Sequence, residues 1–263
     1  MANVFCWGPS LWKILHSFAF HVQPTDSPLV QQWVTLLGKV LPCSCCRDSY
    51  NGFVQQLPSV VDVVRHQKDA LLPDRINTGF FRWMYDLHNL VNSKLDRQHV
   101  DEFVDKVAGT MKCGEGKLRA ALEQHGGYLG RRVEYDCVVK RYLIQPVAFC
   151  NDDVFHFLFI TTMAPPASRD WIALWQLLPH VLQVAGGSPQ LIAHIHTLAT
   201  LQSTFMHSTQ DQELATPDAF MQVMDLWARV NARDVRTMET ESKLFYDRYL
   251  MAKADSCIKG SCV

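Results

Sequence analysis

FFRWMYDLHNLVNSKL, residues Phe80 to Leu95, decides the fold class. Its apolar positions Phe80, Met84, Leu87, Val91 and Leu95 recur three and four residues apart, the period of an α-helix with one buried face. The segments before it carry the same period. Trp12, Leu15, His16, Ala19 and Phe20 fall on one helical face, and Val30, Trp33, Leu37 and Val40 on another. Pro24, Thr25, Asp26, Ser27 and Pro28 break the first of these helices from the second. GRRVEYDCVVKRYLI, Gly130 to Ile144, is the one stretch rich in β-branched and aromatic residues, and its pattern fits a strand or a helix. The expected class is all-α, with the first ~110 residues forming a small up-and-down bundle with short connections.

The chain has 263 residues, enough for one large domain or two of ordinary size. Apolar residues make up 48%, so a core needs no metal or disulfide staple. The 25 basic and 26 acidic side chains leave a net charge of −1, which argues against nucleic acid or an anionic membrane as partner. VFHFLFITTMA, Val154 to Ala164, is too short to span a bilayer, contains a histidine and stops at Pro165; a buried helix is expected there. MANVFCWGPSLWKILHSF lacks a basic segment, an apolar segment and a small-residue cleavage site in sequence, so no secretory signal is expected. Nine cysteines, an odd number, argue against a secreted disulfide framework and for redox chemistry or metal.

The second half repeats the first. LLGKVLPCSCC (Leu36 to Cys46) and LLPHVLQVAGG (Leu177 to Gly187) agree at Leu36, Leu37, Val40 and Leu41 with an offset of 141 residues, which also carries Pro24 onto Pro165. FRWMYDLHNLVNSK (Phe81 to Lys94) and FMQVMDLWARVNAR (Phe220 to Arg233) share Phe, Asp, Leu, Val and Asn at an offset of 139. Two segments with nearly one offset suggest an internal duplication. The boundaries expected from it are 1–128 for the first unit and 145–263 for a degenerate second. The second copy has Val184 and Gly187 where the first has Cys43 and Cys46, and Trp227 and Ala228 where the first has His88 and Asn89. Packing residues are kept and reactive ones lost, which marks those four positions of the first half as chemistry.

VLPCSCCRDSY, Val40 to Tyr50, holds the C-x-x-C of Cys43 and Cys46 behind Pro42, followed by a segment that can run as a helix. Thiols near a helix N-terminus gain from unpaired N–H groups that favour the thiolate. Cys45 offers a second partner. A zinc site would need four ligands, and apart from the lone HIH at His194 to His196 no second knuckle is present. On the Phe80–Leu95 helix, His88, Val91, Asn92 and Leu95 share a face with Asn89 at its side. An imidazole that stacks, amides that bond ring edges and the Lys94 ammonium suit a flat heteroaromatic ring carrying phosphates. Trp12 and His16, four residues apart, can wall the same ring.

These three motifs together resemble the Erv/ALR family of FAD-dependent sulfhydryl oxidases. The matching residues are Gly8, Trp12, Leu15 and His16; Pro42, Cys43 and Cys46; and His88, Asn89, Val91, Asn92, Lys94 and Leu95. The resemblance covers roughly the first 100 residues and is specific in the order and spacing of its parts. It implies an Erv-type bundle of four helices plus a short fifth, with Cys43 and Cys46 as the catalytic pair. It also implies FAD held by Gly8, Trp12, His16, His88, Asn89, Val91, Asn92, Lys94 and Leu95. The implied reaction oxidises dithiols of protein substrates and passes electrons through flavin to O2, giving hydrogen peroxide. The family's further cysteine pair after the K-L, due near Glu102, is missing apart from Cys113, and so is the tryptophan beside it; one wall of the implied adenine pocket lacks its residue.

The long chain without a signal is most similar to viral members, which implies a cytoplasmic or virion-associated protein. Family domains pair through their first helices, so a homodimer, or a pseudo-dimer made within one chain, is implied. Cys257 and Cys262 in the terminal CIKGSCV resemble a shuttle pair. No metal site, nucleic-acid partner or membrane contact is expected. The competing readings are a zinc-stapled helical interaction protein and a flavin-free dithiol–disulfide oxidoreductase.

Overall fold

The structure is a computed structural model that describes residues 4–41, 44–66, 78–108, 135–163 and 170–208, together with 223, 225 and 226. Helices α1 (Val4–His21), α2 (Ser27–Val40), α3 (Ser44–Gln56), α4 (Val60–His66) and α5 (Thr78–Ala108) make up the first half. They are followed by α6 (Tyr135–Ile144), α7 (Asn151–Met163), α8 (Asp170–Val184) and α9 (Pro189–Ser208). No strand occurs among the described residues. The Gly130–Ile144 segment, ambiguous by pattern, is helical from Tyr135 onward. The run from Val154 lies in α7, where Val154, Phe155, Phe157 and Leu158 are buried.

A helix buried on one face shows one apolar stripe, whereas a helix that is apolar all round is covered all round. In α1, Leu11, Ile14, Leu15, Phe18, Ala19 and Phe20 are all buried. The reason is that α1 is packed on three neighbours, α5 from its own half and α7 and α8 from the other. Residues expected on one side of the helix thus account for only part of its buried surface. α2 likewise packs on α8, and the fully buried Trp33 sits 5.9 Å from the ring of Phe157.

The offset of 141 residues carries α1 onto α7 and α2 onto α8, so the main contacts between the halves pair each helix with its own counterpart. Polar bonds cross the same seam. Lys13 Nζ lies 2.9 Å from Asp153 Oδ1, Lys39 Nζ 3.1 Å from Asp170 Oδ1, and the Ala148 N–H donates to Ser17 Oγ at 2.9 Å.

Two glycines are required where they stand. A Cβ at Gly38 would collide with the Asn51 side chain and press on Tyr50, so glycine lets α3 cross close to α2. That crossing is pinned by Tyr50 Oη donating to the Val34 carbonyl at 3.1 Å and Asn51 Nδ2 to the Gly38 carbonyl at 3.2 Å. Gly186 has φ +83° and ends α8, with the Gly187 N–H bonded to the Leu182 carbonyl at 2.7 Å and the Gly186 N–H to the Gln183 carbonyl at 3.3 Å. This is a Schellman turn. It occupies the register that holds the C-x-x-C in the first half: Val184 closes the helix and Gly187 lies in the turn. Trp227 and Ala228 lie outside the described residues.

Candidate functional site

A cleft of about 410 Å³ opens between α1, α5 and α6. From α1 it is lined by Gly8, Pro9, Trp12, Lys13 and His16, and from α5 by Tyr85, His88, Asn89, Asn92 and Leu95. The α5 residues follow from the helical period: positions 85, 88, 89, 92 and 95 share a face. That face is turned slightly from the one read in the sequence. Asn89 is on it, and Val91, half-buried, is not among the lining residues.

Trp12 and His88 stack with centroids 3.9 Å apart and planes 10° from parallel, which leaves no gap for a third ring between them. His16 Nε2 and His88 Nδ1 are hydrogen-bonded at 2.9 Å, so one ring donates and the other accepts. His16 is buried against Phe81 and Tyr142. Burial lowers its pKa to about 3, helped by the charges of His88 and Arg141; burial lowers that of His88 to about 4. Both rings are neutral at physiological pH.

Two buried atoms of the cleft residues, His16 Nδ1 and Asn89 Nδ2, have no hydrogen-bond partner among the described residues. Such a group costs about 1–3 kcal/mol when left unpaired. In a concave site lined by aromatic rings, two of them mark a place where a ligand's polar edge supplies the missing bonds.

Helix α6 brings Cys137, Val138, Arg141 and Tyr142, a contribution the sequence reading did not assign. It is fastened to α5 by Tyr135 and Tyr142. Tyr135 lies 5.0 Å from Tyr85 and beneath the Arg82 guanidinium at 4.5 Å, and Tyr142 lies 5.4 Å from Phe81. Tyr142 thus adds an aromatic ring to the cleft lining from α6, with Arg141 beside it. Their spacing, Cys137 with Arg141 and Val138 with Tyr142, is one helical turn. That period is visible in the sequence once the segment is taken as a helix. The packing also joins α6 to the first half, beyond the boundary drawn at residue 128.

Lys94 is absent from the cleft lining; its ammonium donates to Ser49 Oγ on α3. Cys46 is the third residue of α3, half-buried against the core, and does not line the cleft, while Cys45 is half-buried beside it. α3 packs against α5, the helix that carries His88. Pro42 and Cys43 lie outside the described residues, as do Cys113, Cys257 and Cys262. Among the described residues no group of three His, Cys, Asp or Glu side chains is arranged to hold a metal ion, and no helix is long and apolar enough to cross a membrane.

Residues 9–111 match the Erv1 / Alr family. A Frog virus 3 protein named "Putative FAD-linked sulfhydryl oxidase 088R" is 30% identical over 103 residues, 36% of this chain and 59% of that protein. The mitochondrial FAD-linked sulfhydryl oxidase ERV1 of Saccharomyces cerevisiae is 29% identical over 98 residues, 36% of this chain and 45% of its own. The FAD-linked sulfhydryl oxidase of African swine fever virus is 25% identical over 96 residues, 35% of this chain and 70% of that protein. The chain thus spans less than two thirds of the first two relatives. No solved structure matches.

Proposed function

With residues 9–111 matching the Erv1 / Alr family, we propose that the chain is an FAD-dependent thiol oxidase that forms disulfide bonds in protein substrates and delivers the electrons to O2. One observation carries the reading. The cleft gathers Trp12, His16, His88, Asn89 and Asn92 from helices far apart in sequence and leaves two buried polar atoms without partners. The residues fit FAD. The aromatic rings offer faces, Asn89 Nδ2 a donor and His16 Nδ1 a further bond to ring edges, and Arg141 a cation for phosphate.

The Cys43–Cys46 disulfide is the electron entry. A substrate thiolate attacks one of its sulfurs, breaking the S–S bond and forming a mixed disulfide. A second substrate thiolate resolves it, leaving an oxidised substrate and two protein thiols. Bound FAD, held by Trp12, His16, His88, Asn89 and Asn92, would supply the two-electron relay from the reduced cysteine pair to O2, the route by which the thiol electrons would leave as hydrogen peroxide. Lys94, bonded to Ser49 one turn after Cys46, holds the cysteine helix on α5. The neutral His16–His88 pair keeps the cleft free of a proton that would change its charge near pH 7.

We assign the chemistry to the first half and read the second as a copy without flavin. Purified protein is expected to be yellow and to release one FAD per chain on denaturation, with peroxide formed from dithiothreitol and O2 in equal amounts. A colourless protein that binds no added FAD would overturn the reading, and two FAD per chain would overturn the assignment of the second half. The tail is tested separately. Truncation after Asp255 is expected to slow turnover of a reduced protein substrate several-fold and to spare turnover of dithiothreitol. Equal rates on both substrates for the full and truncated chains would remove Cys257 and Cys262 as a shuttle.

A further inference from the structure

We propose that Asp153, on α7 of the second half, is a positioning residue for the cofactor cleft of the first half, acting through Ser10 and Lys13 of α1; this rests on the thiol-oxidase reading. Asp153 is 4% exposed and is the only buried carboxylate among the described residues. A buried carboxylate persists only where its lone pairs are met. Ser10 Oγ donates to Oδ1 at 2.8 Å, and Lys13 Nζ donates to Oδ1 at 2.9 Å and to Oδ2 at 3.2 Å. The Cys150 N–H and thiol complete the set at 2.9 and 3.3 Å. His156 Nδ1 stands 3.4 Å from Ser10 Oγ.

Two of these three donor residues belong to the turns of α1 that carry Gly8, Pro9, Trp12 and His16 into the cleft. Lys13 takes part in both places: its side chain lines the cleft while its ammonium is held by Asp153. A shift of α1 at this network therefore moves Trp12, and with it the Trp12–His88 stack. The offset of 141 residues puts Asp153 at the register of Trp12. The half without the cysteines and the His-Asn pair thus presents a carboxylate to the half that has them.

The test is a double-mutant cycle in the full chain, read by FAD affinity from the change in flavin fluorescence on titration. Asp153→Asn is expected to weaken FAD binding about tenfold, the scale of losing one buried charge contact. The kcat for dithiothreitol at saturating FAD should stay within about twofold of wild type, because the residue acts on binding geometry and touches no reacting atom. Lys13→Met in the Asp153→Asn background should add less than about twofold, since the partners form one unit. Ser10→Ala, outside the cleft lining, should weaken FAD in the same direction by about threefold through loss of one hydrogen bond to a charged group. Unchanged FAD affinity in Asp153→Asn, or losses that multiply in the double variant, would overturn the proposal. If Asp153→Asn does not fold, wild-type affinity in Ser10→Ala overturns it. Wild-type protein that binds no FAD sinks the oxidase reading and this one together; wild-type affinity in Asp153→Asn sinks this one alone.

Discussion

Replacing Cys46 with serine is expected to reduce dithiol oxidation by about a thousandfold or more, the scale of deleting a reactive nucleophile, with FAD still bound. The reaction needs a disulfide that opens and closes, and a serine oxygen closes none. Cys43→Ser should fall as far, because either substitution leaves the remaining thiol without its partner. Cys45→Ser is expected to keep most of its activity. A bridge from Cys45 to Cys46 joins adjacent residues, and one from Cys43 to Cys45 spans a single residue, so both are strained relative to C-x-x-C. α3 begins at Ser44, which puts Cys46 in its first turn. The unpaired N–H groups of that turn favour thiolate over thiol. Rates with dithiothreitol, taken beside flavin absorbance of the same samples, separate lost chemistry from lost cofactor. An inactive Cys45→Ser together with an active Cys43→Ser would reassign the redox pair.

Local period made much of this molecule legible in advance. Of the positions Phe80, Met84, Leu87, Val91 and Leu95, the first three are buried, but α5 also buries Phe81, Trp83 and Tyr85, while Val91 and Leu95 are half-buried; the break at Pro24 falls between α1 and α2, and Pro28 stands in the first turn of α2. What period could not convey was which second face of a helix is covered. Ile14 and Phe18 are buried as deeply as Leu15, and α1 packs both on α5 and on α7 and α8, helices whose residues stand more than a hundred positions away. The same limit hid α6. Its Arg141 and Tyr142 reach the cleft from a segment whose β-branched and aromatic composition suits either structure, and only packing on Phe81 and Tyr85 decides. The place of Lys94 in its motif suits a phosphate ligand. Its side chain is long enough to serve either neighbour of α5, and it bonds to Ser49. Asp153 carried no local signal at all; its importance comes from donors supplied by another helix.

Stability is expected to fall steeply on mild acidification, and the sign follows from the two cleft histidines. Burial holds His16 at about 3 and His88 at about 4, against 6.5 for a free imidazole. Between pH 6.5 and about 4 the unfolded chain therefore binds two protons at these sites that the folded chain refuses. Stability rises with pH wherever the unfolded state binds more protons, by about 1.4 kcal/mol per unit for each group. Because a free imidazole is half protonated at pH 6.5, going from pH 6.5 to 5 should remove about 3 kcal/mol through this pair, a large share of the ~5–15 kcal/mol that holds a typical domain folded. Below the folded pKa values both states carry the proton, and this contribution levels off. Urea denaturation of the full chain at pH 5, 6 and 7, with FAD fixed at saturation, measures the slope. His88→Gln is expected to make it shallower by about one proton's worth, 1.4 kcal/mol per unit. An unchanged slope in that variant, or a wild-type stability that is flat across the range, would contradict neutral imidazoles in the cleft. A slope of the opposite sign would mean that His88 gains a charged partner on folding, and the Trp12–His88 stack would then be holding a cation.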